Sequence, residues 1–256
     1  MRAALLVMIL ASGVFAQAIP GKLIENELPA ESKRGEPLVY AIYAPRAYDA
    51  SKPIPLILAL HAGTGSARQF TSFLRALGEA QGALVAGPQG FREVVGADGY
   101  WWKGDKAELA SIDRFVEHMK KTYKIDESRI TLVGLADGAE LGLKWVMAKD
   151  RKLHGVILLN FLFKKGSMKA DKGLKFVLFA CQDAKEKTRS LAKEAEKAKA
   201  ALLKDKRPVV LRIMPGSSRS FFHAWEREFK YAFDWFGGKY DWPAELAKKE
   251  KAATDG

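Results

Sequence analysis

The sequence has little of the chemistry that cross-links a chain or binds a metal ion. Its 256 residues contain one cysteine, Cys181, which excludes an intramolecular disulfide, and only four histidines. No cysteine or histidine cluster has the spacing of a metal site, and the chain has neither a G-x-x-x-x-G-K-S/T loop nor internal repeats. We therefore expect one domain that depends on its hydrophobic core and uses no metal ion and no other cofactor.

Acidic residues are scarce relative to basic ones. The chain has 42 Lys and Arg against 30 Asp and Glu, which gives a net charge of +12 and a pI near 9.6. Such a charge favours solubility and contact with anionic surfaces or polymers. Charge alone indicates no specific nucleic-acid partner, and we predict none.

The first 18 residues have the pattern of an export signal rather than of a folded element. Arg2 precedes an apolar run from Ala3 to Phe15, and Ala16-Gln17-Ala18 fits a cleavage site. The apolar run is short for a membrane span. We expect cleavage after Ala18, a secreted or periplasmic protein and no transmembrane segment in the mature chain; an uncleaved N-terminal anchor is the alternative.

Apolar runs typical of buried strands alternate with amphipathic segments along the rest of the chain. This alternation predicts an α/β fold with a central, mostly parallel sheet and helices on both faces. We assign residues 19–240 to this single domain. Residues 241–256 are rich in Lys and Ala, and we expect them to form a basic, disordered tail.

The stretch 129–140 has the layout of a strand, a tight turn and a helix. Ile130 to Val133 is typical of a buried strand, and Gly134 and Gly138 bracket three residues before the helical spacing begins. This is the arrangement of a nucleophile elbow, G-x-S-x-G, in which the central residue sits on a strained turn between small neighbours. The central residue here is Ala136. The position of the nucleophile is therefore occupied by a residue that has none.

A shift of one residue would make Asp137 the nucleophile instead. That register places Leu135 two residues before the nucleophile, where the elbow requires a small side chain. We therefore prefer Ala136 as the central residue and keep Asp137 as the alternative.

Four further segments before the elbow apex form an ordered series of motifs along the chain. They are the lead-in 43–56, Leu60-His61-Ala62-Gly63, Gly87-Pro88-Gln89-Gly90 followed by Trp102, and Tyr123 to Ile130. Together they resemble the α/β-hydrolase superfamily, and within it secreted esterases of the polyhydroxybutyrate-depolymerase and feruloyl-esterase type and related phospholipase/carboxylesterases. The resemblance covers most of residues 36–237.

The resemblance implies a serine, an acid and a histidine in that chain order, with two backbone N–H groups that bind the oxyanion. It places the acid at Asp183, for which capping of the next helix is the alternative role. The oxyanion donors would be the N–H groups of Gly63 and Asp137. The histidine of a Pro-Gly-x-Gly-His loop aligns with Arg219, which stays protonated and cannot act as a base.

Further candidates lie near these positions. His223 is an alternative base if the loop is remodelled, and Arg219 could instead pair with Asp183. Trp101 and Trp102 would form a substrate-binding wall or pack as a lid over the sheet. The remaining histidines have mainly structural interpretations: His61, His118 and His154.

Loss of the nucleophile alone costs a serine hydrolase on the order of 10⁶ in turnover. The sequence therefore predicts a catalytically disabled esterase relative, a pseudoenzyme, that binds an ester, an acylated glycan or a polymer. One alternative is an active carboxylic-ester hydrolase with rewired residues, and a second is a basic, envelope-associated structural protein. Nucleophiles for a rewired hydrolase would be Ser66, Ser217, Ser218 or Asp137.

Overall fold

The computed structural model describes residues 18–30, 37–94, 96, 99–164, 166, 169–182, 190–215 and 225–254. The strands in this part of the chain are β1 (Leu23–Leu28), β2 (Leu38–Tyr43), β3 (Ile54–Leu60), β4 (Leu84–Pro88), β5 (Arg92–Glu93), β6 (Tyr100–Trp101), β7 (Ile125–Leu135), β8 (Gly155–Leu159), β9 (Phe176–Gln182) and β10 (Val209–Pro215). The helices are α1 (Ala67–Phe73), α2 (Arg75–Gln81), α3 (Lys106–Thr122), α4 (Asp137–Ala148), α5 (Leu191–Lys204), α6 (Trp225–Phe236) and α7 (Trp242–Thr254).

Eight of the strands form one sheet in the order β1-β2-β4-β3-β7-β8-β9-β10. Strand β2 runs antiparallel to both of its neighbours, and the other pairs are parallel. The predicted α/β class, with a mostly parallel central sheet, is confirmed. Strands β5 and β6 form a separate two-stranded hairpin, which the sequence did not predict.

The residues of the central strand β3 alternate between two cores. Leu56, Leu58 and Leu60 belong to one hydrophobic cluster, and Ile57 and Ala59 belong to the other. Because successive side chains of a strand point to opposite faces, each cluster lies on one face of the sheet. Helices α3, α4 and α5 cover the first face, and α1, α2, α6 and α7 cover the second.

The parallel strands bring several loops to one edge of the sheet. Strands β3, β4, β7 and β8 all end at the same edge, so the loop after β3, residues 61–65, lies beside the turn that follows β7. Ligands of open α/β sheets bind outside the carboxyl ends of the strands. This edge is therefore the place where a functional site is expected.

The end of the chain differs from its prediction as a disordered tail. Residues Trp242–Thr254 form helix α7, and Trp242 is buried in the second core. The carbonyl of Asp241 accepts a hydrogen bond from Glu245 N–H at 3.1 Å, at the start of the helix. Lys, Ala and Glu are strong helix formers, and one buried tryptophan attaches their helix to the domain.

Two further predictions concern the N-terminal signal and membrane association. Residues 1–17 lie outside the described residues, so the export signal stays a prediction. Within the described ranges, no helix combines the length and the apolar composition that a membrane crossing requires.

Candidate functional site

The turn between β7 and α4 has the backbone strain of a nucleophile elbow. Ala136 adopts φ 49° and ψ −118°, which is unusual for a residue with a side chain and costs on the order of 1–3 kcal/mol. Its N–H donates a hydrogen bond to the carbonyl of Leu159 at 2.9 Å, which ties the turn to the end of β8. The strained apex is therefore Ala136, and Asp137 is the first residue of α4.

Close packing on both sides of the apex explains the two elbow glycines. A Cβ atom on Gly138 would collide with the backbone carbonyl oxygens of Leu60 and His61. A Cβ atom on Gly134 would lie 2.7 Å from the Cα atom of Ala139. Since backbone atoms cannot rotate away, both positions require glycine, and the helix can start directly against the end of β3.

The side chain of Asp137 occupies one of the predicted oxyanion donors. Its Oδ2 atom accepts a hydrogen bond from Gly63 N–H at 3.1 Å, and a Cβ atom on Gly63 would collide with the same oxygen. An acyl carbonyl that entered this position would meet a carboxylate that is already bonded to the donor. In this conformation the Gly63 N–H cannot stabilise an oxyanion.

His61 is buried beneath the same loop and connects it to the end of β4. Its Nδ1 atom lies 2.7 Å from the carbonyl oxygen of Ala62, and its Nε2 atom accepts the N–H of Gly90 at 3.0 Å. The side-chain nitrogen of Gln89 lies 3.1 Å from the same Nε2. Nδ1 therefore carries the proton of a neutral ring, and burial lowers the pKa of His61 to about 4. With both nitrogens engaged, the ring holds the loop in place and is not available as a base.

The other described histidines lie in structural settings. His118 on α3 forms a hydrogen bond of 3.1 Å with the hydroxyl of Tyr40. His154 precedes β8, at the opposite edge of the sheet from the elbow, and packs edge-on against Phe236. Partial burial lowers the pKa of both imidazoles. Within the described ranges, no group of three potential metal ligands occurs.

The two adjacent tryptophans of the hairpin region have different environments. Trp102 is buried, and its indole N–H donates to the carbonyl of His61 at 2.8 Å, so it packs the loop. Trp101 is 49% exposed, and a ring carbon lies 3.9 Å from the position that a Cβ atom of Gly63 would take. Only Trp101 therefore has a largely free aromatic surface beside the elbow.

A groove of about 560 Å³ begins at Asp137 and follows one side of helix α4. Its volume is within the range of small-molecule sites. Its wall is mainly apolar and includes Leu109, Leu141, Leu143, Met147, Leu162 and Phe163. Trp101 and Trp102 line the end that lies next to the elbow.

The charged groups of the groove are mostly paired with one another or with nearby backbone. Glu140 pairs with Lys164 at 3.3 Å and accepts the N–H of Leu162 at 3.2 Å. Lys144 donates its Nζ to a backbone carbonyl, that of Gly104. Lys144 lies two helical turns from Asp137, roughly 10 Å along the axis, so it does not neutralise that carboxylate.

Several predicted site residues lie outside the described part of the chain. These are Asp183 at the acid position, Arg219 at the histidine position, the alternative base His223, and Ser217 and Ser218. The proposed Arg219–Asp183 ion pair stays a prediction for the same reason. Among the candidates that are described, Ser66 caps helix α1, where its Oγ accepts the N–H of Gln69 at 3.1 Å.

The structure adds a role that the sequence did not indicate, that of the Asp137 side chain. The prediction considered its backbone N–H as an oxyanion donor and its carboxylate as a nucleophile. The contact joins two residues that are 74 positions apart, and it depends on the space above Gly63. The one sequence signal was an acidic residue directly after the elbow apex.

Comparison with known proteins is informative only at the level of structure. No protein-family model matches the sequence, and none of the curated protein sequences does. Among solved structures, a Bacillus cereus carboxylesterase matches with a TM-score of 0.60 at 18% identity, over 79% of this chain and 95% of that one. A ferulic acid esterase matches with a TM-score of 0.65 at 13% identity, over 87% of this chain and 100% of that one.

A third similar structure is a fluorophosphonate-binding serine hydrolase of Staphylococcus aureus. It matches with a TM-score of 0.60 at 11% identity, over 87% of this chain and 100% of that one. Identities this low carry information about the fold and not about the chemistry. The chain therefore has the α/β-hydrolase fold of esterase structures, and the resemblance predicted from the sequence is confirmed at that level.

Proposed function

We propose that this protein is an exported, non-catalytic binding protein on an esterase-like α/β-hydrolase fold, which takes its ligand in the groove beside the elbow. The observation that carries the proposal is the pair formed by Ala136 and Asp137. The apex of a strained elbow holds alanine, and the neighbouring carboxylate accepts the N–H of Gly63. The arrangement keeps the architecture of a hydrolase site but lacks a nucleophile and a free oxyanion donor at Gly63.

The strain at Ala136 supports this interpretation. An alanine at φ 49° contributes no nucleophile, yet the backbone retains a conformation that costs on the order of 1–3 kcal/mol. A ligand groove of about 560 Å³ adjoins that turn. A backbone held in this way beside an apolar groove is consistent with a site that still positions a ligand.

The rewired-hydrolase alternative has less support. Ser66 serves as a helix cap, and the carboxylate of Asp137 is bonded to Gly63 N–H rather than placed at the apex. Each described histidine makes contacts that account for it structurally. The basic structural protein also remains an alternative, and it differs from a binding protein in having no ligand in the groove.

Turnover of a short-chain aryl ester panel separates catalysis from binding. We compare the natural chain with Ala136→Ser, Arg219→His and the double replacement, and we label each with a fluorophosphonate probe. The natural chain is expected to be silent in both assays. Hydrolysis by the natural chain above the buffer rate would refute the non-catalytic proposal, including the Asp137 route to which the probe does not respond.

Ligand-dependent melting tests whether the groove binds. A ligand at one hundred times its Kd stabilises the fold by about 2.7 kcal/mol, which raises Tm by roughly 5–10 °C for a domain of this size. Ala148→Phe should abolish the shift because Ala148 lines the groove, whereas Ala110→Phe makes the same change on an exposed helical position outside it. Equal shifts for the two variants would mean that the ligand binds elsewhere.

A further inference from the structure

One carboxylate of the groove, that of Asp137, differs from its neighbour Glu140 in how its charge is balanced by the described residues. Asp137 accepts the Gly63 N–H, and within the described ranges no lysine or arginine forms a salt bridge with it. Glu140, by contrast, has its charge balanced by Lys164. Among the described residues, the negative charge of the half-buried Asp137 carboxylate is therefore balanced only by a hydrogen bond, and a positively charged ligand group would stabilise it.

An aromatic ring lies near the same carboxylate. The position that a Cβ atom would take on Gly63 is in contact with Oδ2 of Asp137, and a ring carbon of Trp101 lies 3.9 Å from it. The absence of a side chain at Gly63 therefore lets the Asp137 carboxylate occupy this position, with the indole of Trp101 nearby. A cation near an indole ring gains about 0.5–2 kcal/mol, and a carboxylate adds a charge-assisted hydrogen bond.

We propose that the groove binds an organic ammonium ion that carries an apolar chain. This inference rests on the proposed function and specifies the ligand class of the same site. The ammonium group lies between Asp137 and Trp101, and the chain follows the apolar wall of helix α4 past Leu141 and Met147. A carboxylate or an ester places an oxygen against the Asp137 carboxylate and is therefore disfavoured.

The net positive charge of the protein opposes the binding of an ammonium ion. At +12 the molecule attracts anions and repels cations over long range. Non-specific electrostatic binding would therefore favour a carboxylate over an ammonium ion of the same length. A preference for the ammonium ion can arise only from a local arrangement of charge.

The test uses three probes with the same six-carbon chain: hexylammonium, hexanoate and methyl hexanoate. Binding to the full mature chain is measured by calorimetry at pH 7 and at two salt concentrations. We expect hexylammonium to bind at least tenfold more tightly than either of the others, and its affinity to fall moderately with salt.

Asp137→Asn tests the role of the charge. The amide keeps an oxygen acceptor for the Gly63 N–H, so the fold should retain its Tm, while the affinity for hexylammonium falls about 10- to 100-fold. Asp234→Asn removes the same charge on α6, outside the groove, and serves as the control for net charge. Trp101→Leu is expected to weaken hexylammonium about threefold or more.

The outcomes separate the two proposals. If hexanoate or methyl hexanoate binds better than hexylammonium, the ligand class is wrong and the binding function stands. If Asp137→Asn retains full affinity for hexylammonium, the assignment to Asp137 is also overturned. If none of the three probes binds and none raises the Tm, the ammonium proposal fails, and the binding function is decided separately by the melting comparison of Ala148→Phe with Ala110→Phe.

Discussion

Replacing Gly138 by alanine tests the close packing on which the elbow depends. Gly138 is the second residue of helix α4, where alanine is normally favoured over glycine by about 1 kcal/mol. In this structure the new methyl group would press on the carbonyl oxygens of Leu60 and His61. Local propensity and tertiary packing therefore predict opposite signs.

The magnitude follows from what the methyl group meets. Overpacking a core costs typically 1–3 kcal/mol, and two rigid backbone oxygens at the end of the central strand place Gly138→Ala at the upper end of that range. After the helix-propensity gain, we expect a net loss of about 2 kcal/mol in the free energy of unfolding. This corresponds to a fall of roughly 4–8 °C in Tm for a domain of this size.

Gly142→Ala in the same helix is the matched control. There the methyl group would meet the terminal carbons of Leu132 and Leu60 at 2.9–3.3 Å, and such side chains can rotate away. A smaller packing cost should nearly cancel the propensity gain, so we expect a change within about 0.5 kcal/mol. Both variants are compared with the parent by urea denaturation without ligand. Equal or higher stability of Gly138→Ala would refute the packing argument.

Two further predictions concern buried polar groups. The pKa of His61 is about 4 in the folded protein and about 6.5 in the unfolded chain. As the pH falls between these values, the unfolded chain gains a proton that the folded chain does not. Up to about 3 kcal/mol of the free energy of unfolding is therefore lost over this range. In urea denaturation measured across this pH range, His61→Asn should reduce the loss of stability more than His154→Asn does. An equal pH dependence of stability in the two variants would contradict the assignment to His61. Glu108, buried at 2% exposure, accepts the N–H groups of Lys103 and Gly104, so Glu108→Ala should lower the free energy of unfolding by about 2–4 kcal/mol and weaken binding in the groove. Glu108→Gln keeps an acceptor and should lose less than half of that stability. Equal losses for the two variants would contradict the hydrogen-bond account.

Local sequence patterns predicted the elbow because its elements are adjacent in the chain. A β-branched strand, two glycines around three residues and a helical spacing occur within 129–140, and the structure has β7, the strained Ala136 and α4 there. The alternating strands and helices predicted the parallel sheet for the same reason. Each depends on a period or spacing that can be read without knowing the neighbours.

Weak local signals explain why two parts of the fold could not be predicted from the sequence. The hairpin of β5 and β6 has two residues in each strand, too few to show an alternation. Helix α7 has the Lys/Ala-rich composition of a solvated tail. Its attachment to the domain depends on one buried residue, Trp242, which is too weak a signal to predict a packed helix. For α7 the decisive contacts are those of Trp242 with the second core, which lies outside the segment itself.

The sequence by itself determined the α/β class with its mostly parallel sheet, the position of the elbow and the alanine at its apex, because these depend on residue type and short-range spacing. The α/β-hydrolase type was implied by the resemblance of several ordered segments to that superfamily. Tertiary structure alone decided what surrounds the apex. The approach of the loop after β3 to the start of α4 brings the Asp137 carboxylate onto the Gly63 N–H and beside Trp101. A contact between residues 74 positions apart depends on how the strands pack, and no local pattern encodes it.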